Sequence, residues 1–122
     1  MQNDEKDLAP RTKMFARRII RLYVALPKET AAQVLGKQAL RAGTSVGANY
    51  REANRARSKA EFIAKIGDCL KEADETAYWL ELLVDEKFVP FRKMSSLLDE
   101  AIQLISIFVT ILKNSRNAPQ ER

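Results

Sequence analysis

The sequence predicts an all-α protein, an up-and-down four-helix bundle assembling into a homo-oligomer. Three observations carry that expectation. Apolar residues recur at alternating steps of four and three in successive segments, the spacing of one helix face. Only four Gly and four Pro interrupt 122 residues, of which 46% are apolar and 30% charged, a globular and helix-rich composition. The last segments carry doubled apolar rows, more than a lone small bundle needs to bury.

The first helix is expected over about Thr12 to Leu26, where Phe15, Ile19, Leu22 and Leu26 form a row, and Pro27 interrupts it. The second is expected over about Pro27 to Ala56, with Pro27 as its first residue. Its seam runs Leu35, Ala39, Ala42, Val46, Asn49, Ala53 and Ala56. A third begins at "SKAE", where Ser58 caps free backbone N–H groups and Glu61 reaches back to the cap residue. Its seam is Phe62, Ile66, Cys69, Ala73, Thr76, Leu80 and Leu83, beside a second line of Ile63, Leu70, Ala77 and Val84. Cys69 therefore reads as a packing residue. The fourth follows Pro90 to about Asn114, with Leu97, Ala101, Leu104, Phe108 and Ile111 flanked by Leu98, Ile102, Ile105, Val109 and Leu112. The whole is read as one domain over residues 1–122, with polar tails at 1–10 and 115–122.

Several function classes recede on composition. There is no histidine, which removes the commonest general base and metal ligand and every Ser-His or Cys-His nucleophile. A di-metal bundle site of the Glu plus Glu-x-x-His type is excluded by the same absence. Non-enzymatic function, no cofactor and no metal are expected. A single cysteine fits a reducing compartment. The polar start "MQNDEKDLAP" does not read as a signal peptide, and the apolar stretch near "ISIFV" falls short of a span. A cytoplasmic protein without membrane contact is expected.

The stretch "LRAGTSVGANYREA" poses the sharpest question, since two glycines four residues apart invite comparison with a phosphate loop. The G-x-x-x-x-G-K-[ST] pattern fails, because Gly43 and Gly47 are too close and Ala48-Asn49 follows. Packing accounts for more of it. Ala39, Gly43 and Gly47 fall four apart and would let a neighbouring helix approach closely. Asn49, a polar residue on the seam, reads as a buried marker of register.

Net charge is +5 and unevenly distributed. Residues 11–59 carry a net charge of +10 and residues 61–100 a net charge of −5. Lys37, Arg41, Arg51 and Arg55 share the outer side of the second helix with Thr44 and Ala48. Lys13, Arg17 and Arg21 form a row on the first. These seven are the candidate nucleic-acid contacts, through the phosphate backbone of RNA or DNA. Only Tyr50 offers an interleaved aromatic, so sequence-specific single-strand reading is not expected. Solvation, or pairing with Glu61, Asp68, Glu72 and Glu75 on the third helix, is the competing account of the same charges.

The run "LRAGTSVGANYREANRARSKAEFIAKIGDCLKEADETAYWLELL" resembles the central signature of the bacterial 23S rRNA-intervening sequence protein family. The resemblance rests on the small-residue stretch with Ser45, Val46 and Asn49, then Glu52, then the basic turn "RARSK" before "EF". Many members carry proline where this chain has Gly47, and glycine where it has Ala53. The resemblance implies a four-helix bundle, a homopentamer, no catalytic residues and a suggested link to RNA. A similar fold in the accessory variability determinant of diversity-generating retroelements engages a reverse transcriptase, which implies the alternative of a protein–protein adaptor without direct nucleic-acid binding.

Overall fold

A computed structural model describes residues 3–117, with side chains from Leu8 onward. Four α-helices make up the described chain: α1 (Asn3–Val24), α2 (Thr30–Ala53), α3 (Lys59–Asp85) and α4 (Phe91–Asn117). No strand occurs among the described residues. Each helix packs on the next, and α1 meets α4 more sparingly. Thr12 lies by Gly47 and Tyr23 by Gly36, so α1 and α2 run antiparallel. The Glu52–Lys65 and Arg41–Glu75 pairs give α2 and α3 the same relation. Arg11 with Glu100, and Arg18 with Ser96, do so for α1 and α4.

Boundaries move from the sequence reading for identifiable reasons. α1 begins at Asn3 and passes through Pro10, so helix covers most of the stretch read as a tail. Polar residues there give no apolar period, and Pro10 removes one backbone donor without ending the helix. α2 starts at Thr30 rather than Pro27, after a turn over residues 25–29. It ends at Ala53, where Asn54 N donates to Tyr50 O. α4 extends to Asn117.

The cap of α3 forms around Ser58, whose extended backbone (φ −153°) lets Oγ accept from Glu61 N at 3.0 Å. The Glu61 carboxylate reaches one residue further back than a capping box requires and accepts from Arg57 N. At the other end, Phe88 N donates to Leu83 O and Lys87 N to Val84 O, with Lys87 at φ +65°. This is a Schellman closure with a non-glycine residue in the left-handed position.

The core takes its residues from the inward rows. Ile66, Cys69, Ala73, Thr76, Leu80 and Leu83 of α3 are buried, as are Leu97, Ala101, Leu104, Phe108 and Ile111 of α4. Phe15 and Ile19 of α1 meet them. Burial among apolar neighbours pushes the Cys69 thiol up to about 12, so it is a packing group and a poor nucleophile. The second row of α4 is different: Ile102 is 54% and Val109 47% exposed, and Phe91 at the helix start is 61% exposed. Among the described residues α4 is the one helix long and apolar enough to cross a membrane, by length and composition. The criterion of an unbroken apolar run misses this, because few charges are scattered through its 27 residues. Its inward row nevertheless forms the core, and its flank holds Glu100 against Arg11 at 2.7 Å.

Candidate nucleic-acid interface

The site begins with the glycines. Gly36, Gly43 and Gly47 all face α1, where added β-carbons would meet Tyr23, Ile19 and Thr12, with Leu26 of the following turn also against Gly36. At Gly43 the Ile19 side chain would stand 2.7 Å away, and at Gly47 the Thr12 Oγ1 would stand 3.1 Å away. These helices can sit this close only because those β-carbons are missing. Thr12 is itself buried, its hydroxyl donating to Leu8 O at 2.6 Å.

Outside this line of contact the two helix surfaces diverge and leave a groove of about 670 Å³. Ala9, Lys13 and Ala16 form one wall, and Thr44, Arg51 and Arg55 belong to the other. Lys13, Arg51 and Arg55 are exposed and have no carboxylate partner among the described residues. Glu52 stands on the same rim, but its carboxylate is held by Lys65 Nζ at 2.6 Å. That hydrogen bond raises the Lys65 pKa, with further help from the Glu52 charge.

The seven candidate cations divide. Lys13, Arg51 and Arg55 converge on the groove. Arg17, Arg21 and Lys37 are exposed outside it, without a carboxylate partner among the described residues. Arg41 is committed elsewhere, because its guanidinium turns to α3 and contacts Glu75 at 2.8 Å and Glu72 at 3.2 Å. The Glu75 hydrogen bond raises its pKa, partial burial opposes the rise, and Glu72 adds to it. For this one residue the pairing account of the basic face is the one the geometry shows.

Two further residues depart from the sequence reading. Asn49 is half-buried, not buried, and its Nδ2 donates to Ser45 O of its own helix at 3.0 Å. A bond within one helix survives any sliding of its neighbours, so Asn49 does not mark register; the contacts of Gly43 and Gly47 with α1 do. Tyr50 turns into the core at 4% exposure, its ring centre 6.4 Å from that of Phe108. Position 50 lies four past Val46 and three before Ala53, which places it with the seam. The groove is therefore a cationic surface without an exposed stacking ring.

Sequence reasoning passed over the polar latch between α1 and α4. Arg11 donates to both Glu100 oxygens and to Gln103, and Arg18 to Ser96. The seven-residue spacing of Arg11 and Arg18 was its one signal, half-hidden among other cations. Among the described residues no group of three Asp, Glu, Cys or His side chains gathers as a metal site.

Comparison with known proteins follows the same lines. One similar solved structure is the crystal structure of a protein of unknown function from the S23 ribosomal protein family of Bacteroides thetaiotaomicron. It shares 39% identity, covers 89% of this chain and 97% of its own, and superposes with a TM-score of 0.83. The search of curated proteins gave no significant match. Residues 6–110 match the family model described as 23S rRNA-intervening sequence protein. With that span matched, the chain belongs to the 23S rRNA-intervening sequence protein family.

Proposed function

We propose that the protein is a non-enzymatic, self-associating bundle that binds the phosphate backbone of RNA or DNA through the α1–α2 groove. The observation that carries this reading is the convergence of Lys13, Arg51 and Arg55 on one concave surface, with no carboxylate among the described residues taking up their charge. Lys13 and Arg51 on two packed helices, with Arg55 in the turn that follows α2, suit a line of phosphates. The inward turn of Tyr50 leaves no platform for an unstacked base, which favours sequence-tolerant binding. Support for self-association comes from Phe91, Ile102 and Val109, large apolar side chains that α4 leaves exposed, since exposed apolar surface can mark an interaction site.

The test is fluorescence anisotropy with a structured RNA and a duplex DNA over a salt series. Binding should weaken steeply with salt, with a slope of about 0.9 per neutralised phosphate on duplex DNA. The Lys13→Ala, Arg51→Ala, Arg55→Ala triple variant should lose most of the affinity and flatten the slope. Arg41→Ala should leave both nearly unchanged. No binding at about 50 mM salt, where backbone contacts are strong, or equal binding by the triple variant, would overturn the proposal. RNase-resistant recovery of one protein partner from the native cell, with no affinity for nucleic acid, would favour the adaptor role instead.

A further inference from the structure

We infer that Lys65 is a positioning residue for the groove: it holds the Glu52 carboxylate on α3 and so keeps that charge off the arginines that meet phosphate. The inference rests on the groove reading proposed above and names what keeps the site cationic. Glu52 is the one acid lining the groove among the described residues. It adjoins Arg51 in sequence and stands three residues before Arg55, a spacing at which charged side chains meet on a helix surface. Arg55 N donates to Glu52 O at 3.0 Å, so the chain keeps a helical turn past the end of α2 at Ala53. A carboxylate at position 52 therefore has cations on two sides, Arg51 and Arg55 toward the groove and Lys65 on α3.

It takes Lys65. The ammonium lies 2.6 Å from Glu52 Oε1, a short charge-assisted contact. Packing has little part in this choice, because the Glu52 side chain is 56% exposed, and the bridge to Lys65 sets its direction. Lys65 is in turn available for the task. Glu61, four residues before it and a natural partner at that spacing, already accepts from Arg57 N at 3.0 Å. Without Lys65 the carboxylate would turn to its other neighbours. An arginine paired with Glu52 no longer neutralises a phosphate, and the acid itself then repels the strand. Arg41 shows on the same helix what such pairing does, since Glu72 and Glu75 take up its guanidinium.

The test is a double-mutant cycle of Lys65→Ala and Glu52→Gln, read by fluorescence anisotropy with the same RNA and duplex DNA over a salt series. Circular dichroism verifies folding. Lys65→Ala should bind more weakly, with a log–log salt slope smaller by about 1, as for the loss of one phosphate contact. Glu52→Gln alone should change little, because the wild-type carboxylate is already held away. In the Lys65→Ala background the same change should restore most of the affinity and of the slope. A crystal structure of Lys65→Ala should show the carboxylate within hydrogen-bond reach of Arg51 or Arg55. Changes that simply add would make Lys65 a direct phosphate contact and overturn the inference, as would a carboxylate that stays against α3 in the variant. Wild type without affinity at about 50 mM salt would overturn the groove reading itself, whatever the variant structure shows.

Discussion

A β-carbon on Gly43 would stand 2.7 Å from Ile19 Cγ1, and Ile19 is wholly buried, so this pair fixes how closely α1 and α2 approach. Gly43→Ala sets two effects against each other. Helix propensity gains about 1 kcal/mol, while overpacking a closed core costs roughly 1–3 kcal/mol. The branched Ile19 cannot swing aside, so the cost wins and stability falls by about 1 kcal/mol. Combining it with Ile19→Ala should cost less than the two single changes added together, since the clashing carbons are gone. Chemical denaturation of the cycle checks this.

The Arg41 bridges to Glu72 and Glu75 look prominent, but the arginine is half-exposed. Solvent and salt screen such pairs, so Arg41→Ala should lower stability by no more than about 1 kcal/mol, less at 0.5 M salt. Thermal melts at two salt concentrations read the difference directly. A loss much larger than this would mean the three side chains act as a rigid network joining α2 to α3.

Cys69 makes stability depend on alkaline pH. An unfolded thiol titrates near 9, and burial pushes the folded one up to about 12. With the folded value raised, the contribution is fully present below pH 9 and is lost as pH rises from 9 towards 12. Cys69→Ala should remove that slope at the cost of a small cavity. At pH 8 a thiol reagent should label the native protein only as fast as it unfolds, and rapid labelling without denaturant would contradict the buried placement.

Lys87 occupies the left-handed position of the α3 closure at φ +65°. Lysine tolerates that conformation poorly, whereas glycine adopts it freely. Lys87→Gly should stabilise the protein by roughly 0.5–1 kcal/mol, net of the greater freedom glycine gives the unfolded chain. A loss of stability would show that the lysine side chain holds something at the α3–α4 turn.

Much of this architecture was legible in the residues. The row from Phe62 to Leu83 and the row from Leu97 to Ile111 follow the helical period without a break, and Ser58 announces the third helix through a local bond. What the sequence concealed depends on how helices are set against one another. Arg41 could have served a phosphate or an acid, and only the antiparallel register of α2 and α3 brings Glu72 and Glu75 within reach. Tyr50 reads as part of a basic surface by sequence neighbourhood and as core by helical angle. The start of α1 was hidden because Pro10 carries a breaker's chemistry. The groove has no sequence signature, since Lys13 and Arg51 belong to different helices.

The arrangement in which each helix packs mainly on the one before it, while α1 and α4 meet sparingly through the core and through a polar latch of Arg11 and Arg18, bears on how the chain finds its structure. Nearly every stabilising contact lies between segments adjacent in sequence, so little loop-closure entropy opposes it and folding belongs to the microsecond-to-millisecond class of helical proteins. The latch, made of solvent-touched side chains, is the joint whose loosening leaves the rest intact. Opening there uncovers the side of α1 that faces α4, and amide exchange should be fastest along that edge.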